Sequence, residues 1–106
     1  MTRCRLHPVL LELVRRVKPY GFRMTSGCRS YSEQASLYRA YLAGNNPFPV
    51  AAPGRSAHQR GLAVDMDRPG HDPYSDPALL LLGRFWREAG GTWGESDPIH
   101  FEIRPH

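Results

Sequence analysis

Apolar positions first recur at helical spacing between Pro8 and Val17, where Leu10, Leu11, Val14 and Val17 share a stripe. Pro8 suits a first turn and Gly21 follows the end, so the pattern predicts a scaffold helix. Phe22 to Ser26 reads as a short strand. Ser30 or Ser32 can cap a second helix running through Gln34, Leu37, Tyr38 and Tyr41 to a stop at Gly44. From Asn45 to Gly54, paired asparagines and three prolines exclude regular structure and predict a loop. The stretch Asp67 to Pro77 is turn-rich. Ala78 to Ala89 then carries Leu79, Leu80, Leu81, Leu82, Phe85 and Trp86, an apolar helix ended by Gly90-Gly91. Trp86 is expected in the core, and Trp93 either there or on a cleft wall.

Two segments switch to a period of two. Between Gly61 and Met66, residues Leu62, Val64 and Met66 point one way, and Gly61, Ala63 and Asp65 the other. Between Ile99 and Ile103, residues Ile99, Phe101 and Ile103 oppose His100 and Glu102. Both strands have an apolar back and a polar front. Paired in one sheet, they predict an α+β fold: a small antiparallel sheet with helices on one face and a cleft on the other.

With 106 residues, the chain is expected to form a single domain spanning 1–106, near the size at which a fold gains from a metal or a cross-link. No apolar run approaches the ~20 residues of a membrane helix, so membrane insertion is not expected. Near the N-terminus, Val9-Leu10-Leu11 is interrupted by Glu12, Arg15 and Arg16, which does not fit a secretory signal. A formal net charge of +4 favours acidic polymers. The arginines are scattered and no recognition helix or RNA-binding signature is present, so nucleic acid is not the expected partner. Cys4 and Cys28 are too few and too far apart for a zinc ribbon. Two small buried or half-buried thiols are expected, with a disulfide tying the N-terminus to the first strand as the alternative outside a reducing compartment.

The chemistry concentrates in Ser56-Ala-His58-Gln-Arg-Gly61-Leu-Ala63-Val-Asp65 and in Asp97-Pro98-Ile99-His100-Phe101-Glu102. These supply two imidazoles and a carboxylate to hold a metal, and a further carboxylate three residues before the last imidazole. Three protein ligands leave a fourth tetrahedral position for water, which distinguishes a catalytic zinc site from a structural one. Taken singly, His58 reads as a surface histidine, Asp65 and Asp97 as turn formers and His100 as a sheet-face residue; the joint spacing makes the case for one zinc ion. His7, His71 and His106 lack partners at ligand spacing and are expected at the surface. No nucleophile-elbow motif supports a serine mechanism.

On these residues, and on Ser26-Gly27-Cys28-Arg29-Ser30 followed by Gln34 and Leu37-Tyr38, the chain resembles the zinc D-alanyl-D-alanine carboxypeptidases and dipeptidases of the VanY and VanX type. It resembles still more their phage relatives, the L-alanyl-D-glutamate peptidase endolysins. The resemblance extends from Ser26 to Glu102 and implies a hedgehog/DD-peptidase-like fold. It also implies His58, Asp65 and His100 as zinc ligands, Asp97 as the catalytic carboxylate, with Glu95 in reserve, and Arg29 facing the scissile carbonyl. Ser56 and Gln34 are implied as substrate-binding residues. The carboxypeptidase branch typically has Glu where this chain has Asp97, and Cys28 stands where an aromatic or aliphatic residue is more familiar.

The resemblance therefore implies a monomeric, zinc-dependent peptidoglycan peptidase acting on the stem peptide. Cleavage between L-alanine and D-glutamate is expected, with D-Ala-D-Ala carboxypeptidase activity as the alternative. Such a chain would be made in the cytoplasm of a phage-infected bacterium and act on the cell wall. Two readings of other classes compete. One is a non-catalytic zinc-containing wall-binding module, which keeps the fold without turnover as the hedgehog signalling domain does; the other is a basic nucleic-acid-binding protein indifferent to chelators.

Overall fold

The computed structural model describes residues 4–46 and 49–104. Helix α1 (Pro8–Val17) has the predicted bounds and is followed by a 3-10 turn, Lys18–Tyr20. Strand β1 (Arg23–Ser26), helix α2 (Tyr31–Leu42), a 3-10 turn (Ala57–Arg60), strand β2 (Ala63–Asp67), helix α3 (Pro77–Glu88) and strand β3 (His100–Glu102) complete the order. Polar side chains open the three helices. His7 Nδ1 accepts from Val9 N at 3.2 Å, so this histidine is a half-buried cap rather than the free surface residue expected. Of the two serines considered for α2, Ser30 is the cap, in a reciprocal pair with Glu33 at 3.1 Å each way. His71 is exposed as expected, and His106 lies outside the described residues.

The three strands form one antiparallel sheet in the order β1-β2-β3, with β2 central. In register, Val64 faces Phe101, Asp65 faces His100 and Ala63 faces Glu102. Val64, Met66 and Phe101 bury on the apolar face against Leu10 and Val17 of α1 and Leu79 and Trp86 of α3. Helix α2 contributes no side chain to that buried cluster; its Gln34 and Leu37 instead line the cleft on the polar face. Trp93 belongs to the core. Its indole lies where a Cβ on Gly83 would come within 1.9 Å, and its N–H donates to Pro98 O at 2.8 Å. The α+β class and the antiparallel sheet are those predicted, with α2 at the cleft rather than behind the sheet as the exception. Helix α3 is more apolar than its burial requires, since Leu81 and Phe85 are exposed.

Cys4 and Cys28 are joined in a disulfide with their Cα atoms 5.8 Å apart, which corrects the expectation of two separate thiols. The reason is the path of the N-terminal segment, which runs back over the turn preceding β2. There His7 N donates to Gly61 O at 2.8 Å, and Gly61 adopts φ +70 where a Cβ would meet Arg5 O at 1.9 Å. The backbone thus holds Cys4 beside the β1–α2 loop, a proximity that spacing in the sequence does not reveal.

Asp76 is nearly fully buried and does two jobs: it caps α3 through Ala78 N at 3.1 Å and receives two hydrogen bonds from Arg68 at 2.9 and 2.6 Å. The Arg68 hydrogen bonds hold its carboxyl below the usual range, outweighing burial. A carboxylate depressed by folding contributes stability that is complete above its unfolded pKa of about 4 and is lost as pH falls through the folded value. Asp76→Ala therefore costs about 2–3 kcal/mol at pH 7, combining a lost cap with lost charge-assisted hydrogen bonds. The gap from wild type narrows below pH 4, as thermal melts at pH 7 and pH 3 will show.

Candidate metal centre

Three local devices bring the candidate ligands together. The 3-10 turn Ala57–Arg60, capped by Ser56 Oγ accepting from His58 N at 3.2 Å, seats His58 just ahead of β2. Register on β2 and β3 then sets Asp65 directly opposite His100 on the polar face. Asp97 starts a turn, Asp97-Pro98-Ile99-His100, closed by His100 N donating to Asp97 O at 3.1 Å. Asp at the first position and Pro at the second are favoured turn chemistry, so the turn-forming reading of Asp97 and its nearness to His100 are one fact.

His58 Nε2 lies 3.1 Å from Asp65 Oδ1, and His100 Nδ1 lies 3.3 Å from the same oxygen. One candidate ligand atom from each of the three residues falls within 4.8 Å of the others. The outer ring nitrogens decide what these atoms offer. His58 Nδ1 is 2.8 Å from Gly27 O, and His100 Nε2 is 2.8 Å from Glu102 Oε1. A carbonyl and a carboxylate only accept, so both outer nitrogens carry hydrogen. The neutral rings therefore turn two lone pairs toward a carboxylate oxygen, an arrangement that repels itself when bare and suits a divalent cation. The donor set fits zinc. Without metal, a proton relieves the same clash: burial alone would lower the His100 pKa, but hydrogen bonds to Asp65 and Glu102 and the charges of Asp65 and Asp97 raise it to about 9. Asp65 is held well below the carboxylate range where the rings are protonated, as their hydrogen bonds and charge then overcome its burial.

The ligands open onto a cleft of about 340 Å³ that is also lined by Arg29, Ser56, Asp97 and Glu102. Arg29 is braced on three sides, donating to Ser26 Oγ at 2.9 Å, Gln34 Oε1 at 3.2 Å and Asp65 Oδ2 at 3.0 Å. Gln34, expected to bind substrate, lines the cleft and also has protein partners. It is fully buried and its amide is engaged with Arg29 and, at 2.7 Å, with Ala51 O, so it props the arginine and the loop. Burial, chiefly, raises the Asp97 pKa, with the Asp65 charge adding to it against His100, His58 and Arg29. Glu95, the reserve carboxylate, is exposed, pairs with Arg87 at 3.4 Å and does not line the cleft. Two participants carried no functional assignment from sequence: the Gly27 carbonyl, a backbone group with no sequence signal, and Glu102, whose two-residue offset from His100 was a usable one.

A family model named VanY and described as D-alanyl-D-alanine carboxypeptidase matches residues 5–78, a span that includes Arg29, His58 and Asp65. No curated protein sequence matches the chain significantly. Among solved structures it is similar to the LdcB LD-carboxypeptidase, with TM-score 0.65 and 24% identity over 92% of this chain and 65% of that one. It is also similar to the L-Ala D-Glu endopeptidase ChiX of Serratia marcescens, with TM-score 0.61 and 28% identity over 93% of this chain and 80% of the other. A third likeness is to the vancomycin resistance D,D-pentapeptidase VanY in complex with Zn(II), with TM-score 0.50 and 23% identity over 91% and 68% of the two chains. The chain thus spans just under two thirds of the length of LdcB. No helix among the described residues is long and apolar enough to cross a membrane.

Proposed function

Because the chain belongs to the VanY family of D-alanyl-D-alanine carboxypeptidases, we propose that it is a zinc peptidase that hydrolyses the peptidoglycan stem peptide, cutting between L-alanine and D-glutamate. The observation that carries the reading is the convergence of lone pairs from His58, Asp65 and His100 beside Asp97 in one cleft. A single zinc ion held by these three residues would supply a water acidic near neutrality and Lewis-acid polarisation of the scissile carbonyl.

The chain's own groups account for the proton and the charge. Asp97, raised in pKa by burial, takes the proton of the attacking water and returns it to the departing amine. Arg29 uses three of its five N–H groups on Ser26, Gln34 and Asp65, which fixes the guanidinium and leaves two for the oxyanion that develops at the carbonyl. Ser56 also lines the cleft, and its hydroxyl proton is available to a substrate carbonyl or carboxylate while its oxygen caps the turn.

The Asp97-Pro98-Ile99-His100-Phe101 run, with Asp in place of the carboxypeptidase glutamate, and the 28% identity to ChiX support the endopeptidase reading. The description of the matching family favours the second one, release of terminal D-alanine. The net charge of +4 suits a partner rich in anionic wall polymers, and an endolysin-like setting in phage lysis is the context we propose. Digestion of purified peptidoglycan, followed by mass spectrometry of the new termini, tests it. New amino groups on D-glutamate, abolished by a zinc chelator and restored by zinc, are the expected outcome. Free D-alanine would select the carboxypeptidase instead, and intact peptidoglycan with zinc bound would leave a wall-binding module.

A further inference from the structure

The two candidate histidines present opposite nitrogens to the centre, and each is fixed from behind by a different kind of group. His58 is fixed by the backbone carbonyl of Gly27, which no substitution removes, whereas His100 is fixed by the side chain of Glu102. We propose that Glu102 is the positioning residue that selects the tautomer of His100 and thereby sets the affinity of the centre for its metal; this rests on the zinc reading above.

A neutral imidazole carries its hydrogen on either nitrogen, and only one choice is useful here. With hydrogen on Nδ1, the ring would donate to Asp65 Oδ1 at 3.3 Å and turn the lone pair of Nε2 on the Glu102 oxygen at 2.8 Å, two acceptors in contact. The carboxylate of Glu102 removes that option and leaves the Nδ1 lone pair facing Asp65. Glu102 can enforce this because it is held firmly. Its backbone exchanges hydrogen bonds with Thr92 at 2.8 and 3.0 Å and accepts from the Trp86 indole at 3.0 Å. Its second carboxylate oxygen takes Arg104 Nε at 2.6 Å. Alternation on β3 gives His100 and Glu102 the same face, and Ala63, opposite Glu102, leaves that face uncrowded.

The test compares wild type with Glu102→Gln and Glu102→Ala. Zinc affinity is read by competition with a chromophoric chelator, and the His100 tautomer by ¹⁵N chemical shifts of the metal-free protein above the His100 pKa. Glu102→Ala is expected to bind zinc about 10- to 100-fold more weakly and to show both tautomers of His100. Glu102→Gln, whose amide oxygen still accepts, is expected to keep the wild-type tautomer and most of the affinity. If Glu102→Ala does not fold, Glu102→Leu, of similar size and without an acceptor, takes its place. The proposal is overturned if the acceptor-free variant binds zinc as tightly as wild type, if it keeps a single tautomer, or if both substitutions weaken zinc equally. Failure of wild type to bind zinc would instead sink the peptidase reading, and the tautomer measurement would still decide the role of Glu102.

Discussion

Asp97→Asn is expected to lower stem-peptide hydrolysis by about 10²- to 10⁴-fold, the range that loss of a positioned general base or acid produces. Zinc binding should stay close to wild type. The substitution keeps size and shape, and the turn that carries it is closed by main-chain atoms, His100 N to Asp97 O at 3.1 Å, so the seat of His100 is preserved. What is lost is a carboxylate able to take and return a proton in a half-buried site where burial has already raised its proton affinity. Single-turnover rates on a defined stem peptide, with zinc content measured on the same sample, separate the two effects. A variant retaining more than a tenth of wild-type turnover with full zinc would remove Asp97 from the mechanism.

Loss of the Cys4–Cys28 bridge carries the second large effect. The bridge spans a sequence separation of 24 residues, and closing a loop of that length is worth about 3–4 kcal/mol through restriction of the unfolded chain. The Cys4→Ser, Cys28→Ser double variant is therefore expected to show a much lower urea midpoint and a somewhat steeper slope, since its unfolded chain is less compact. A local consequence accompanies it. Cys28 is flanked by Gly27, whose carbonyl orients His58, and by Arg29, whose N–H donates to His58 O at 3.1 Å. Zinc affinity should fall as well, beyond what a change remote from the centre would cause. Equal urea midpoints for the two proteins would show that the bridge contributes nothing to stability.

Much of this architecture was readable because two elementary periods run through the chain. The stripe of Leu10, Val14 and Val17 marked α1, and the alternations around Val64 and Phe101 marked the two strands that carry Asp65 and His100. The candidate ligands Asp65 and His100 were legible for the same reason, since alternation places them on the face opposite the core, whereas His58, on the turn Ala57–Arg60, lies outside that pattern. The rest depends on proximity that no local pattern encodes. The disulfide arises from the return path of residues before Pro8, and α2 stands at the cleft rather than behind the sheet. The two hydrogen bonds of the Gln34 amide, to Arg29 and Ala51, likewise join segments distant in sequence. Glu102 was placed on the correct face by its spacing, but its partner nitrogen on His100 depends on ring orientation.

Strict alternation along β2 and β3 also means that no residue insulates the chemistry from the hydrophobic interior. Val64 and Met66 flank Asp65, and Phe101 sits between His100 and Glu102. A methyl group deleted behind the sheet thus lies on a residue adjacent in sequence to a candidate ligand, and partial relaxation into the void is expected to move the backbone that carries it. Repacking the interior is therefore expected to alter zinc affinity as well as stability.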